Sequence, residues 1–229
     1  MKKILLVLLL LIFNRGFGQV DNYDILTKNI ESSNIKTITK YFESKKYPNG
    51  QKEFKIEFNK KGQLISIDEY RYPMGPDNPI IMRQEIKYDS IGRKSKIYIH
   101  APDGSIAIDT FIYNEKGELL SKQRLVNKEI VKTWNYSSNK KIDKEQKEYD
   151  NKGNLIKLIK ANGDSTVFEY DLLGNLIYET RFQDGKPHTK YTFEYNRKNQ
   201  LINMKTYLLY IGDGKKEPIK YYFEYEELE

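Results

Sequence analysis

Tyr149-Asp150-Asn151-Lys152-Gly153-Asn154-Leu155-Ile156 and Tyr170-Asp171-Leu172-Leu173-Gly174-Asn175-Leu176-Ile177 are one eight-residue pattern written twice, 21 residues apart. In each copy Asp follows the aromatic residue, Gly stands four residues after it, and an aliphatic pair closes the pattern. An Asp side chain accepts hydrogen bonds from backbone N–H groups just ahead of it, and Gly takes the left-handed conformation of a tight turn. The pattern therefore reads as the end of one strand, a turn, and the start of the next.

Further copies lie on both sides. Phe58-Asn59-Lys60-Lys61-Gly62-Gln63-Leu64-Ile65, Tyr88-Asp89-Ser90-Ile91-Gly92 and Tyr113-Asn114-Glu115-Lys116-Gly117-Glu118-Leu119-Leu120 precede it. Tyr195-Asn196-Arg197-Lys198-Asn199-Gln200-Leu201-Ile202 follows, with Asn199 in the glycine slot. Asn is among the residues that best tolerate positive φ. Tyr136 to Ile142 is a worn copy, and Tyr225 opens one that the last residues leave incomplete. The anchors 58, 88, 113, 136, 149, 170, 195 and 225 are spaced by 30, 25, 23, 13, 21, 25 and 30 residues. Most of these steps fit two strands and two turns, and the 13-residue step marks an irregular place near residues 137–148.

Between these turns sit Asn49-Gly50, Asp103-Gly104, Asn162-Gly163, Asp184-Gly185 and Asp213-Gly214, with Asn127-Lys128 as a weaker counterpart. They read as second turns of another kind, because Asn-Gly and Asp-Gly are strong hairpin signals. The segments between turns alternate. Phe54, Ile56 and Phe58 share one face with Lys55 and Glu57 opposite, and Tyr191, Phe193 and Tyr195 stand opposite Thr192 and Glu194. Tyr221, Phe223 and Tyr225 repeat the arrangement. Such alternation means a sheet with one packed and one wet face. The expectation is an all-β, up-and-down antiparallel meander of about a dozen strands over residues 46–229, forming a curved repeat sheet or open shell. Ahead of it, residues 19–45 read as a short helix over 22–33 and an opening strand over 35–43.

These residues resemble the YD repeats of Rhs-type bacterial proteins over roughly residues 46–225, most fully in the two copies quoted first. Tyr47-Pro48-Asn49-Gly50-Gln51-Lys52 also resembles the hairpin repeats of MORN-variant proteins. Both resemblances imply a β-hairpin array. In large Rhs proteins the repeats enclose a C-terminal toxin. This chain carries no Rhs core cleavage motif, so the resemblance implies only a repeat surface for adhesion, envelope organisation or protein binding.

The N-terminus has the form of a secretory signal peptide. Met1-Lys2-Lys3 is basic, Ile4 to Phe13 is apolar, and Gly16-Phe17-Gly18 supplies small residues for cleavage before Gln19. A ten-residue apolar run is short of the roughly 20 residues that span a bilayer. The chain is expected to be exported, to the periplasm, cell surface or medium, with no stable membrane span after cleavage. Loss of residues 1–18 lowers the formal charge from +7 to +4, since 36 basic residues then face 32 acidic ones. Lys and Glu are interspersed along the strands, which points to a mixed solvated face and not to nucleic acid. With no Cys, stability must come from packing and backbone pairing.

No catalytic, cofactor or metal constellation stands out. His100 and His188, the two histidines, lie beside turns. Glu169, Glu179 and Glu194 stand opposite Phe168, Tyr178 and Phe193, which places all three on the wet face. The Asp-rich turns are turn chemistry before they are calcium ligands. The candidate partner contacts are Tyr70, Tyr72 and Met74, around a segment that breaks the repeat and holds three of the seven prolines, and Trp134, the single Trp. The sequence thus points to a non-enzymatic binding or scaffold module for a protein or an envelope polysaccharide, with self-association also open. An immunity protein against a toxin and a carbohydrate-directed enzyme are the alternatives.

Overall fold

The computed structural model describes residues 34–44, 47–72, 79–136, 145–209 and 217–227. The expected signal peptide, the expected helix over 22–33, Met74 and the Asp213-Gly214 turn lie outside the described residues. So does most of the worn copy from Tyr136 to Ile142.

Every described element is a strand. A first meander comprises β1 (Ile35–Ser44), β2 (Tyr47–Phe58), β3 (Leu64–Arg71), β4 (Ile80–Tyr88), β5 (Lys94–His100), β6 (Ile106–Tyr113), β7 (Leu119–Val126) and β8 (Glu129–Asn135). A second comprises β9 (Gln146–Tyr149), β10 (Leu155–Ile159), β11 (Ser165–Tyr170), β12 (Leu176–Gln183), β13 (Lys186–Tyr195), β14 (Leu201–Leu208) and β15 (Ile219–Glu227). They form one 15-stranded antiparallel sheet, against the expected dozen, in the order β8 to β1, then β15 to β9. The first and last strands therefore meet mid-sheet, with Ile38 opposite Tyr225 and Lys40 opposite Phe223. The edges are β8 and β9, neighbours in sequence, and the sheet is unclosed among the described residues.

The Tyr-turns form as their residues dictate. Asp171 Oδ1 accepts from the N–H groups of Leu173 at 2.9 Å and Asn175 at 2.8 Å, and Gly174 sits at φ +83°. Asn59 and Asn196 do the same in their turns. Asn199 adopts φ +58°, as its place in the glycine slot requires. Two of the second turns prove to be of this same four-residue kind and not another. Ala101 N–H bonds Ser105 O and Lys160 N–H bonds Asp164 O, closing around Gly104 and Gly163. Asn127-Lys128 and Asp184-Gly185 are true two-residue turns, with both residues of each at positive φ. Asn49-Gly50 is no hairpin turn. It lies inside β2 at an irregularity in the pairing, and the ring of Tyr222 covers Gly50 so closely that a Cβ there would sit 2.5 Å from the phenol oxygen.

After each Tyr-turn the register slips by one residue. Glu57 pairs with Ser66 but Phe58 with Leu64, and Glu169 pairs with Tyr178 but Tyr170 with Leu176. The second member of the aliphatic pair, Ile65 or Ile177, is the extra residue of a β-bulge. The first member packs inward beside the aromatic anchor. The anchor then clasps the preceding repeat. The hydroxyls of Tyr88, Tyr170, Tyr195 and Tyr225 donate to the carbonyls of Leu64, Leu155, Leu176 and Leu201 at 2.7–2.9 Å. Burial pushes the phenols of Tyr195 and Tyr225 well above their usual range.

One face of the sheet is packed. Ile38 and Ile56 are 0% exposed, and Phe54, Phe58, Ile67, Ile86, Phe193, Met204 and Phe223 are buried with them. The alternation read from sequence holds at Phe54, Ile56 and Phe58 and at Phe193 and Phe223. The second face carries mixed charge, including Lys55, Glu57, Asp68 and Arg83 within ion-pair reach of one another.

Candidate binding surface

Charged side chains also reach the packed face at several places, among them Glu69 on β3, which pairs with Phe54 and Met82 and lies 3.9 Å from Arg71. At the centre, buried Lys40 places Nζ 2.7 Å from Glu53 Oε2 and 3.9 Å from the Tyr221 ring centroid. Burial pulls the Lys40 ammonium below its usual pKa of 10.5, partly offset by Glu53. On the second meander, Glu179 pairs with Phe168 and Tyr191 and is buried, its carboxylate 2.6 Å from Arg181 Nε. This corrects the sequence reading, which put Glu169, Glu179 and Glu194 on one wet face. The bulge after the Tyr-turn shifts the alternation of β12 by one, so Glu179 turns inward and Tyr178 outward to Lys190, 4.3 Å from its ring. Glu169 and Glu194 remain exposed, the latter held by Lys205 at 2.8 Å and Asn203 at 3.0 Å.

A further place is at the β8 edge. Asp109 on β6 is buried and accepts a two-pronged contact from Arg124 on β7, 2.6 Å from Nε and 2.8 Å from Nη2. Lys122 Nζ lies 3.1 Å from the same carboxylate. Trp134 on β8 pairs directly with Lys122, whose ammonium is 4.4 Å from the indole centroid. Lys132 lies 4.7 Å and Arg124 5.5 Å from it. Sequence placed Trp134 in a strand beside Tyr136. It held no signal for the cations, because Asp109, Lys122, Arg124 and Lys132 come from three strands joined only by register. Strand β8 is otherwise exposed, Ile130 by 56% and Val131 by 54%. No strand covers its outer edge among the described residues.

The other candidate contacts lie elsewhere. Tyr70 is half-buried on β3 with the Lys52 ammonium 5.2 Å from its ring. Tyr72 donates its hydroxyl to the Lys52 carbonyl at 2.9 Å, a clasp like those of the repeat tyrosines. Tyr70 pairs with Ile81 and follows Asp68 on the charged face, whereas Trp134 is on the packed face five strands away, so the structure does not bring them together. His100 lies 3.8 Å from Glu85, and His188 Nδ1 is 2.8 Å from Thr189 Oγ1. Among the described residues no group of three or more His, Cys, Asp or Glu side chains is arranged to hold a metal ion. No described helix is long and apolar enough to cross a membrane.

No protein-family model matches the chain, and no curated protein matches it. Some solved structures are weakly similar to it. A porin-like protein from Bacteroides uniformis aligns over 84% of this chain and 98% of its own, with 8% identity and a TM-score of 0.41. The TcdB2-TccC3-Cdc42 and TcdB2-TccC3 structures align over 69% and 74% of this chain, with 14% and 13% identity and TM-scores of 0.26. This chain spans 8% and 9% of the length of those two chains. Likenesses this weak carry no argument about the fold or the activity of this chain.

Proposed function

We propose that the chain is an exported, non-enzymatic binding or scaffold module, a short array of YD-like hairpins whose sheet curls into an open shell. Chain length supports the curl. Laid flat, 15 strands would hold β8 and β9 about 67 Å apart, at about 4.8 Å per strand. The link from Asn135 to Gln146 reaches at most about 40 Å. The sheet therefore bends until its two edges come within that reach, with the packed face inside. Both edge strands run toward the Tyr-turn end. An odd number of antiparallel strands leaves them parallel, so they cannot close the shell by antiparallel pairing with each other.

The observation that carries the binding reading is β8. It is exposed at every position but the half-buried Trp134, lacks a strand on its outer side among the described residues, and bears the one Trp within a group of cations. Natural sheets protect free edges with charge, and Lys132 does so here, yet Ile130, Val131 and Trp134 remain presented. The inward-facing carboxylates Asp109 and Glu179 and the partner of Lys40, Glu53, are each engaged by a cation, which supports a structural use for them.

The test uses the exported chain. Intact mass corresponding to Gln19–Glu229, recovered from the envelope or medium, is expected. Mild crosslinking should then capture one defined envelope component, and the Trp134→Ala variant should lose it. Retention in the cytoplasm, or capture of no envelope component by the parent chain, overturns the reading.

A further inference from the structure

The β8 edge holds an imbalance of charge that the fold itself does not use. Lys122, Arg124 and Lys132 surround the Trp134 ring, and among the described residues Asp109, paired with Lys122 and Arg124, is the one carboxylate in contact with any of them. Three cations against one carboxylate leave an excess of two positive charges. Elsewhere on the packed face Lys40 is met by Glu53 and Glu179 by Arg181. Lys132 is exposed, and no carboxylate lies within salt-bridge range of it among the described residues. Asp109 and Arg124 are buried, Lys122 and the indole of Trp134 are half-buried, and Lys132 is exposed. Tyr136, 46% exposed, follows two residues after Trp134 and still bonds its backbone to Leu120 at 2.8 Å.

We propose that this edge binds an acidic saccharide, with Trp134 as the platform for a sugar ring and Lys122 and Lys132 as contacts for its carboxylate or phosphate groups. The proposal rests on the binding-module reading and names the ligand class for it. A flat aromatic face packs against the apolar C–H face of a pyranose, and flanking ammonium groups select the charged sugars among them. Asp109 and Arg124 act as positioning residues, since their mutual pair holds Lys122 and the indole in place. A nucleic acid fits less well. Its affinity comes from a run of phosphate contacts, whereas the surrounding strands interleave both signs of charge.

Trp134 is the only Trp in the chain, so its intrinsic fluorescence reports this site alone. Titration of the full chain, purified after export, with a galacturonate hexasaccharide should shift or quench that emission. A neutral dextran of equal length should bind at least tenfold more weakly. Raising the ionic strength from 0.05 to 0.5 M should weaken the acidic ligand severalfold through screening. Lys132→Gln should weaken binding about tenfold while leaving the melting temperature unchanged, because Lys132 is exposed. A second variant, Trp134→Phe, followed by calorimetry, should keep the fold and lose most of the affinity. Equal affinity for dextran, full affinity in Lys132→Gln, or tighter binding of a single-stranded oligonucleotide overturns the proposal. If the galacturonate does not bind while the parent chain still captures an envelope component, this site assignment is wrong and the broader reading stands. If neither occurs, both fail.

Discussion

The seam where β1 meets β15 and the edge at β8 are built from the same hairpin chemistry, yet they differ in almost every physical respect. At the seam Ile38 and Ile56 are fully buried and even a lysine, Lys40, is enclosed. At the edge Ile130 and Val131 stand more than half exposed. A seam strand has neighbours on both sides and the aromatics of both meanders beneath it, whereas an edge strand has one neighbour. Stability is therefore concentrated in the middle and presentation at the rim, as expected where local opening energies follow buried contacts.

The sharpest way to break this contrast is by truncation. Ile56→Ala should cost about 2–5 kcal/mol through lost burial and a residual cavity. Ile130→Ala should cost less than about 0.5 kcal/mol, in line with exposed positions. Denaturant melts of the two variants measure the difference, and equal losses would show that the edge is covered in solution.

The seam charge gives the next largest effect. Glu53→Gln leaves Lys40 buried without its countercharge, at a cost near the lower end of about 3–5 kcal/mol because Glu53 is partly exposed. Burial lowers the pKa of Lys40, so the unfolded chain binds that proton more readily. Stability then rises with pH between the lowered folded value and 10.5, and the deficit of Glu53→Gln should shrink as pH approaches 10. A deficit independent of pH would mean that lost packing, and not the charge, is responsible.

The clasps should show a graded effect. Tyr225→Phe removes a half-buried hydroxyl bond near the seam and should cost about 1 kcal/mol. Tyr113→Phe, whose bond to the Lys94 carbonyl is exposed, should cost a few tenths. Burial raises the folded pKa of Tyr225 and Tyr195, so their contribution is complete below the unfolded value of about 10 and is lost as pH rises above it. An alkaline unfolding transition starting there, shifted by Tyr225→Phe, is the expected observation.

The smallest effect belongs to the edge hairpin. Lys128 occupies φ +68° in the turn between β7 and β8, and Lys128→Gly should stabilise the chain by up to about 1 kcal/mol. A loss on thermal melting would indicate that the Lys128 side chain makes a compensating contact.

Much of the fold was legible because it is local. The Tyr-turn pattern placed the turns at Gly62, Gly92, Gly117, Gly153, Gly174 and Asn199, each of which takes positive φ. The alternation placed Phe54, Ile56 and Phe58 inside. Trp134 was conspicuous as a lone Trp in a strand, but its neighbours were not visible. The aliphatic pairs were visible too, but not that their second member is a bulge. That missed bulge is why Glu179 was placed on the wrong face.

What the sequence determined by itself, then, was a row of hairpins with their turns and most of their faces, since those follow from the conformational preferences of neighbouring residues. Tertiary structure decided which hairpins meet. The pairing of Thr37–Glu43 with Lys220–Glu226, the burial of Lys40 beside Glu53, and the gathering of Asp109, Lys122, Arg124 and Lys132 around Trp134 are all register relations between separate strands. Backbone hydrogen bonds are the same for any two strands, so no local pattern names the partner. The choice is made by the side chains that a particular register brings together.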